Sequence, residues 1–400
     1  MMRILVLSTW FPYPPDNGAK IRAYYLIRAL SEKHDVTLVA FRPASTARAG
    51  SPERVEVLPV ADDPFRHVNK PQIVKYASPT PLTFWPSRAM QDTIQRLKAS
   101  RQFDAVFAIQ TPAARYAASI PDAPRVIDVD TSFSYQMQQR YEHSLNVGTR
   151  LRAWISWQKT HRYEQRVFRI FQAWIVASSL EADFVAGMVR ARGGRVEIIR
   201  NGVDCEQFQP GRYPVRPNTL IYNGALTYSA NYDAMQYFLS AIYPLIRQQN
   251  PAVTLTITGS TAGVDLDGLL LNESMNLTGH VDDVRPVLGS SRVSVVPLRQ
   301  GSGTRLKILE AMAAGTPVVT TTKGAEGLDA VDGEHLLLAD DAEVFADKTL
   351  WLLRNETLRQ TLVKNARGFV EQRYNWGQIG RQFVEMLEET IRIYQGSWLA

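Results

Sequence analysis

The chain has 400 residues, 45% of them apolar and 21% charged, with 24 glycines and 22 prolines; this allows two or three domains and excludes a collagen-like or low-complexity chain. A single cysteine, Cys205, can form no internal disulfide and no thiolate metal cluster, which fits a reducing compartment. The net charge of +6 is uneven: residues 1–200 hold 28 Lys and Arg against 17 Asp and Glu, residues 201–400 hold 17 against 22.

From the N-terminus, ILVLS (Ile4 to Ser8) predicts a strand. The aromatics and prolines that follow it are not a cleavage site. Residues 19–33 predict a helix, with Ile21, Tyr24, Tyr25, Ile27 and Leu30 at helical spacing. DVTLVAF, RVEVLPV, DAVFAIQ, RVIDVD and AWIVAS repeat the strand pattern, separated by segments long enough for crossovers. The stretch 151–174 combines three tryptophans with several Arg and Lys. It suits either a membrane interface or a crossover helix packing Trp154, Ile155, Val167, Phe168 and Phe171 on the sheet, and the second is favoured. Residues 201–217 carry three prolines and two glycines without hydrophobic periodicity and read as an ordered linker. Beyond it TLIYNG, VTLTITG, RVSVVPL and PVVTT predict strands, with helices near 231–249, 304–314, 341–354 and 377–394.

Apolar strands alternating with helices indicate parallel sheets covered on both faces. The expected class is α/β, with doubly wound, Rossmann-like domains at 1–200 and 218–376 and a last helix, 377–400, packing back on the first. Ligands in such sheets bind beyond the strands' carboxyl ends. Two such domains facing across a deep cleft would place the site there. No apolar run approaches the ~18 residues that span a bilayer, so the expectation is a soluble, cytoplasmic protein. The basic first half admits peripheral contact with an anionic membrane or a phosphate-bearing substrate. Nucleic acid is disfavoured, since no recognition motif accompanies the charge.

The segment PLRQGSGTRLKILEAMAAGTPVV (Pro297 to Val319) carries the strongest chemistry. A strand ends at Leu298, a glycine-rich turn follows, and a helix is expected from Thr304. Gly301 and Gly303 let backbone approach a ligand, and a helix N-terminus favours phosphate. Arg305 and Lys307 add mobile cations there. Gly303, Lys307 and Glu310 share one helix face, while Leu306, Leu309 and Ala313 line the buried one. A carboxylate deeper in suits sugar hydroxyls. The pattern is neither a Walker A loop nor a full dinucleotide fingerprint.

Together with IIRNGVDCEQFQP (Ile198 to Pro210), TGHVDDVRPVLGSSRVSVVPL (Thr278 to Leu298) and the opening FPYPPDNGAKIRAYYLIRAL, this segment resembles the family-4 retaining glycosyltransferases, the group 1 glycosyl transferases of GT-B fold. The proline-rich opening is similar to a subgroup associated with bacterial exopolysaccharide synthesis. The resemblance implies transfer of a hexose from a nucleoside diphosphate sugar to a hydroxyl of a glycan or lipid-linked acceptor, in exopolysaccharide or cell-surface glycan synthesis. It implies no metal and no other cofactor; the six histidines are scattered.

Residue by residue, Glu310 matches the second of the family's two spaced glutamates, which binds the nucleotide ribose. The first falls at Ser302, so Ser302 with the amides of Gly303 and Thr304 is expected to position the sugar. Ala225 stands where relatives carry an arginine that binds diphosphate, and Arg305 and Lys307 are expected to take over. Asp130 lies near the family's histidine at the anomeric carbon. The expected catalytic set is therefore Ser302, Gly303, Glu310 and Asp130. The expected donor set is Gly18, Asn223, Gly224, His280, Val281, Thr304, Arg305, Lys307 and Glu310. Arg22 is expected to be solvated unless it meets phosphate, His280 to be structural or base-adjacent, and Glu326 and Gly327 to form a surface loop. The alternatives are a GT-B nucleotide-sugar epimerase and a pseudoenzyme that binds the nucleotide sugar without turnover.

Overall fold

The computed structural model describes residues 1–42, 54–62, 81, 86–144, 146–189, 195–301 and 303–397. Ser302 therefore lies outside the described residues. Two compact units emerge, Met1–Arg200 with Ile379–Ala400, and Asn201–Gln378.

The first unit holds strands β1 (Arg3–Ser8), β2 (Asp35–Phe41), β3 (Val55–Val60), β4 (Ala105–Ile109), β5 (Arg125–Asp130), β6 (Ala173–Val176) and β7 (Arg195–Ile198). They form one parallel sheet in the order β3-β2-β1-β4-β5-β6-β7. Ile4, Leu5, Val6 and Leu7 are all fully buried, as a strand covered on both faces must be. Helices α1 (Gly18–Ser31), α2 (Arg88–Ser100), α3 (Phe133–Glu142), α4 (Val147–Phe168) and α5 (Ser179–Val189) supply the cover. Asn17, Ser87, Ser132 and Asn146 cap the first four through side-chain oxygens that accept amide hydrogens. On one face Leu5, Leu7, Val106, Ile127 and Trp174 pack with Met90, Ile94 and Val185.

The other face receives the last helix. Its Phe383 ring lies 4.8 Å from that of Phe107. Phe383, Leu387 and Ile391 form its buried stripe, at the i, i+4, i+8 spacing of one helix face. Its Glu388 carboxylate lies 3.2 Å from His34 Nε2.

The second unit pairs β8 (Thr219–Asn223), β9 (Thr254–Thr258), β10 (Met275–Gly279), β11 (Val293–Val296), β12 (Val318–Thr320) and β13 (Leu337–Leu338) in the parallel order β10-β9-β8-β11-β12-β13. Its longer helices are α6 (Ser229–Tyr237), α7 (Tyr243–Gln249), α8 (Leu306–Ala314), α9 (Ala342–Arg354) and α10 (Glu356–Arg373), before α11 (Trp376–Ser397).

Three expectations change. The helix near 231–249 is two, α6 and α7, joined by a π turn at Phe238–Ile242. Pro244 has no amide hydrogen to continue the i→i−4 ladder across that joint. The helix expected from Thr304 starts at Leu306, because Gly303 turns left-handed (φ 84) and Arg305 (φ −83, ψ 82) stays outside it. In α4, Val167 and Phe168 are buried as expected, as is Phe171 beyond it, but Trp154 stands exposed with Val147 and Leu151. Among the described residues no helix is long and apolar enough to cross a membrane.

Replacing Phe383 with alanine should remove about 3–5 kcal/mol of stability by opening a cavity against Phe107. Urea unfolding followed by tryptophan fluorescence would show it as a lowered midpoint with unchanged slope.

Candidate functional site

The order of the second sheet reverses between β8 and β11, which opens a crevice at their carboxyl ends. β8 ends at Asn223, and the turn after β11 leads into α8. Gly301 (φ 103) and Gly303 (φ 84) give that turn its left-handed backbone, a conformation that side chains rarely adopt. The Thr304 hydroxyl oxygen behind it is buried without a hydrogen-bond partner.

Lys307 leaves the first turn of α8 and returns to the end of β8. Its Nζ donates to the Tyr222 hydroxyl at 3.0 Å and to Asn231 Oδ1 at 2.9 Å. The Tyr222 hydroxyl donates to the same Asn231 oxygen at 2.8 Å, and Asn231 Nδ2 donates to the Ala225 carbonyl at 2.8 Å. Gly224 is what admits the ammonium: a Cβ there would lie 2.4 Å from Nζ. One turn further on, Glu310 Oε2 accepts from Asn223 Nδ2 at 2.9 Å.

Burial, and then the nearby Arg305, pull the Lys307 ammonium down to about 7. Burial pushes the Glu310 carboxyl up to about 7, against the lowering effects of Lys307 and the Asn223 amide. Arg305 is only 8% exposed. Burial lowers its pKa, while Tyr228, Glu326 and Tyr222 act to raise it. The two cations expected to be mobile are thus held in place.

The structure brings Asn223, Gly224, Lys307 and Glu310 together, with Thr304 and Arg305 on the adjoining turn. His280 and Val281 instead follow the edge strand β10, and His280 is exposed, 3.8 Å from Asp282, rather than structural. Glu326 pairs with Lys323 at 2.6 Å in the loop after β12. Gly18 opens α1 in the first unit and is exposed.

In the first unit Asp130 ends β5, half-buried and left-handed (φ 55). Beside it Arg22 is buried, not solvated as expected. Its Nη2 and Nε donate to Asp128 at 2.8 Å, Nη1 donates to the Arg200 carbonyl at 3.3 Å, and Nε stands 3.8 Å from Asp130. A guanidinium is stable at such depth only when its donors are matched this fully. Glu181, at the start of α5 and 2% exposed, completes the group. Burial and then the charge of Asp130 push its carboxyl up to about 8; Thr131, Arg22 and the Ala177 backbone oppose this. No group of three or more His, Cys, Asp or Glu that could hold a metal occurs among the described residues.

The model of the glycosyl transferases group 1 matches residues 217–355, and that of Glycosyltransferase Family 4 matches residues 16–207. Between them, two glycosyltransferase models match both units of the chain.

It is 26% identical over 363 residues to the glycogen synthase of Mycobacterium tuberculosis, covering 83% of this chain and 81% of that one. It is 30% identical over 214 residues to the phosphatidyl-myo-inositol mannosyltransferase of the same organism, covering 50% and 56%. A match of 24% identity to an uncharacterised protein of the cps region of Klebsiella pneumoniae spans 42% of this chain and less than half, 45%, of that one. Among solved structures, sucrose-phosphate synthase from Thermosynechococcus elongatus superposes with a TM-score of 0.74 at 17% identity, over 98% of this chain and 100% of that one. Anabaena HepE in complex with UDP and glucose gives 0.67 at 16% identity, over 97% and 100%. Both confirm the GT-B fold.

Sequence reasoning missed Tyr222 and Asn231, which hold Lys307, and Glu181. Tyr222 reads as one more apolar strand residue, and Asn231 as an ordinary first-turn residue. For Glu181 the signal was its place in the first turn after a strand.

The raised Glu181 pKa has a definite sign. The folded protein keeps a proton that the unfolded chain loses above about 4.5, so stability falls as pH rises toward 8 and is flat beyond. Glu181→Gln should match the wild type near pH 5 and be the more heat-stable form at pH 9. Calorimetric melts at the two pH values check this; parallel curves would mean that the carboxyl is ionised in the folded state.

Proposed function

We propose that this glycosyltransferase moves a hexose from a nucleoside diphosphate sugar to a hydroxyl of a glycan or lipid-linked acceptor, with retention at the anomeric carbon. The observation that carries the reading is the Lys307 ammonium held at the end of β8, one helical turn from the Glu310 carboxyl. Two of its three hydrogens are taken by Tyr222 and Asn231, leaving the third to meet a phosphate oxygen. The Gly301–Gly303 turn and the Thr304 hydroxyl add donors at the start of α8. Arg305 supplies a second cation. Glu310, oriented by Asn223, would accept the ribose hydroxyls.

During transfer the bond from the anomeric carbon to the diphosphate oxygen breaks. The acceptor oxygen bonds to that carbon on the same face, and its proton leaves with the diphosphate. Fixed cations and amides aimed at the charge that develops on the leaving group lower the barrier most. Ser302 and Gly303 are proposed to position the sugar in the second unit, and Asp130 is proposed as a catalytic residue of the first. HepE was solved with UDP and glucose, which supports a uridine nucleotide donor, and one relative lies in a cps region, which supports a role in exopolysaccharide or cell-surface glycan synthesis.

The exposed Val147, Leu151 and Trp154 share one face of α4, with Arg150 at its edge. They support peripheral contact with an anionic membrane. Sedimentation with phosphatidylglycerol vesicles should remove the protein from solution, and Trp154→Ala should weaken this. Equal sedimentation with neutral vesicles would end this part of the reading.

Calorimetry tests the donor site. Lys307→Met should weaken UDP binding roughly 10–100-fold, the worth of a hydrogen bond to a charged group, and leave uridine binding unchanged. Similar losses for both ligands would move the phosphate site elsewhere. Binding of a UDP-sugar with no UDP release across a broad acceptor panel would favour the pseudoenzyme, the reading suggested by serine at position 302.

The Lys307 shift adds a pH dependence. Below pH 7 the ammonium is already charged; above it, diphosphate binding must draw a proton from solvent. UDP affinity should therefore fall between pH 7 and 9, by at most about tenfold per pH unit. Titrations in buffers of different ionisation enthalpy would count the proton taken up.

A further inference from the structure

The turn between β11 and α8 carries two left-handed glycines, so its backbone loses more freedom on ordering than an ordinary loop does. Contacts from α6 hold it. Arg299, two residues before Gly301, donates from Nη2 to Asp233 Oδ1 at 2.6 Å and from Nε to Asp233 Oδ2 at 3.2 Å. The same guanidinium lies over the Tyr237 ring, 4.5 Å from its centroid. Gly301 itself passes close to the start of α6: a Cβ there would stand 3.3 Å from Ala230 Cβ and 3.5 Å from the Tyr228 hydroxyl. Ala230, Asp233 and Tyr237 follow i, i+3, i+7 and share one face of that helix. Beyond the turn, Lys307 donates to Asn231, also of α6. The turn is thus tied to one helix at both of its ends.

Most ion pairs at a surface add little, because two flexible side chains must be ordered in water. The Arg299–Asp233 pair has the features that separate the exceptions. Two bonds fix the guanidinium plane against the carboxylate, and the aromatic ring beneath it restricts the guanidinium further. The Asp233 side chain is only 24% exposed. Its charge is the second clue. A carboxylate on the helix that holds the Lys307 ammonium works against any anion bound there, unless it serves the site in another way.

We propose that Asp233 and Arg299 are positioning residues of the donor site. Locked together over Tyr237, they hold the Gly301–Gly303 turn in the shape that receives a diphosphate before the ligand arrives. Without this clamp the diphosphate must itself order a glycine-rich turn, and that cost is subtracted from its affinity. Binding of the nucleoside alone does not draw on the turn. The inference deepens the transfer reading and rests on it for the word diphosphate.

Calorimetry on the full chain tests the clamp through the sign of one substitution. Asp233→Asn removes a negative charge near the anion site, so electrostatics alone would leave UDP affinity equal or raise it. The clamp requires the opposite: a loss of about fivefold, the worth of a good ion pair. Arg299→Lys keeps the charge without the planar fork and should lose as much. The double variant Asp233→Asn, Arg299→Gln should lose no more than Arg299→Gln alone, since the two residues act as one unit. Uridine affinity should stay at the wild-type value throughout. UDP affinity at or above wild type in Asp233→Asn, additive losses in the double variant, or equal losses for UDP and uridine would each overturn the proposal. Hydrogen exchange of the ligand-free chain keeps the two readings apart. The amides of residues 299–306 should exchange faster in Asp233→Asn than in the wild type, and unchanged exchange would overturn the clamp. Failure of the wild type to bind any nucleotide, with that exchange difference present, would sink the donor-site reading and leave the clamp as a feature of the turn without a diphosphate to serve.

Discussion

An ammonium removed from water must find fixed partners, and the second unit is arranged around that requirement at Lys307. The Tyr222 and Asn231 oxygens that receive it come from a strand and from the helix after it, and Lys307 itself comes from a third element, α8. The contact therefore fixes the turn between β8 and α6 against the start of α8. Gly224 follows from the same demand, since any side chain there would occupy the space of Nζ. Glu310 is set by the helix: three residues after Lys307 it falls on the same face and meets Asn223 at the end of the same strand.

The first unit solves a similar problem with the signs exchanged. Asp128 is fully buried inside a parallel sheet and would be untenable alone. Arg22 answers it with matched donors and is itself held by the Arg200 carbonyl. Once the guanidinium is engaged there, the remaining carboxyl groups, Asp130 and Glu181, share too little positive charge to be ionised together at low cost. The rise of Glu181 to about 8 follows from burial and that repulsion.

Much of this architecture is legible in the sequence because fully buried parallel strands are written as short apolar runs, such as ILVLS and VSVV. The Lys307 and Glu310 pair is legible too, since i, i+3 spacing on a helix needs no tertiary knowledge. What lies beyond reach is whatever forms between distant residues. Arg22 and Asp128 are 106 positions apart. An isolated arginine reads as solvated because arginine is seldom buried without a partner, and the partner is not visible from the chain. Tyr222 and Asn231 escape for the same reason. The break at Phe238 is local and could have been read from Pro244, whose missing amide hydrogen leaves the preceding turn without its regular bond.

The family resemblance puts an arginine where this chain has Ala225, and the proposed donor site has a structural answer to its loss. A cation on the loop after β8 would be positioned by that loop alone. Lys307 instead reaches the same loop from α8, on which Glu310 also sits, and α8 is closed by the left-handed Gly315 and packed through Ile308, Leu309 and Met312. In the proposed site, the diphosphate cation and the ribose carboxylate are therefore spaced by one rigid helix, and no loop motion can separate them. Loss of the strand-loop arginine removes a donor but no positional accuracy, so a missing family residue need not mean a missing function when another element delivers the same charge to the same strand end.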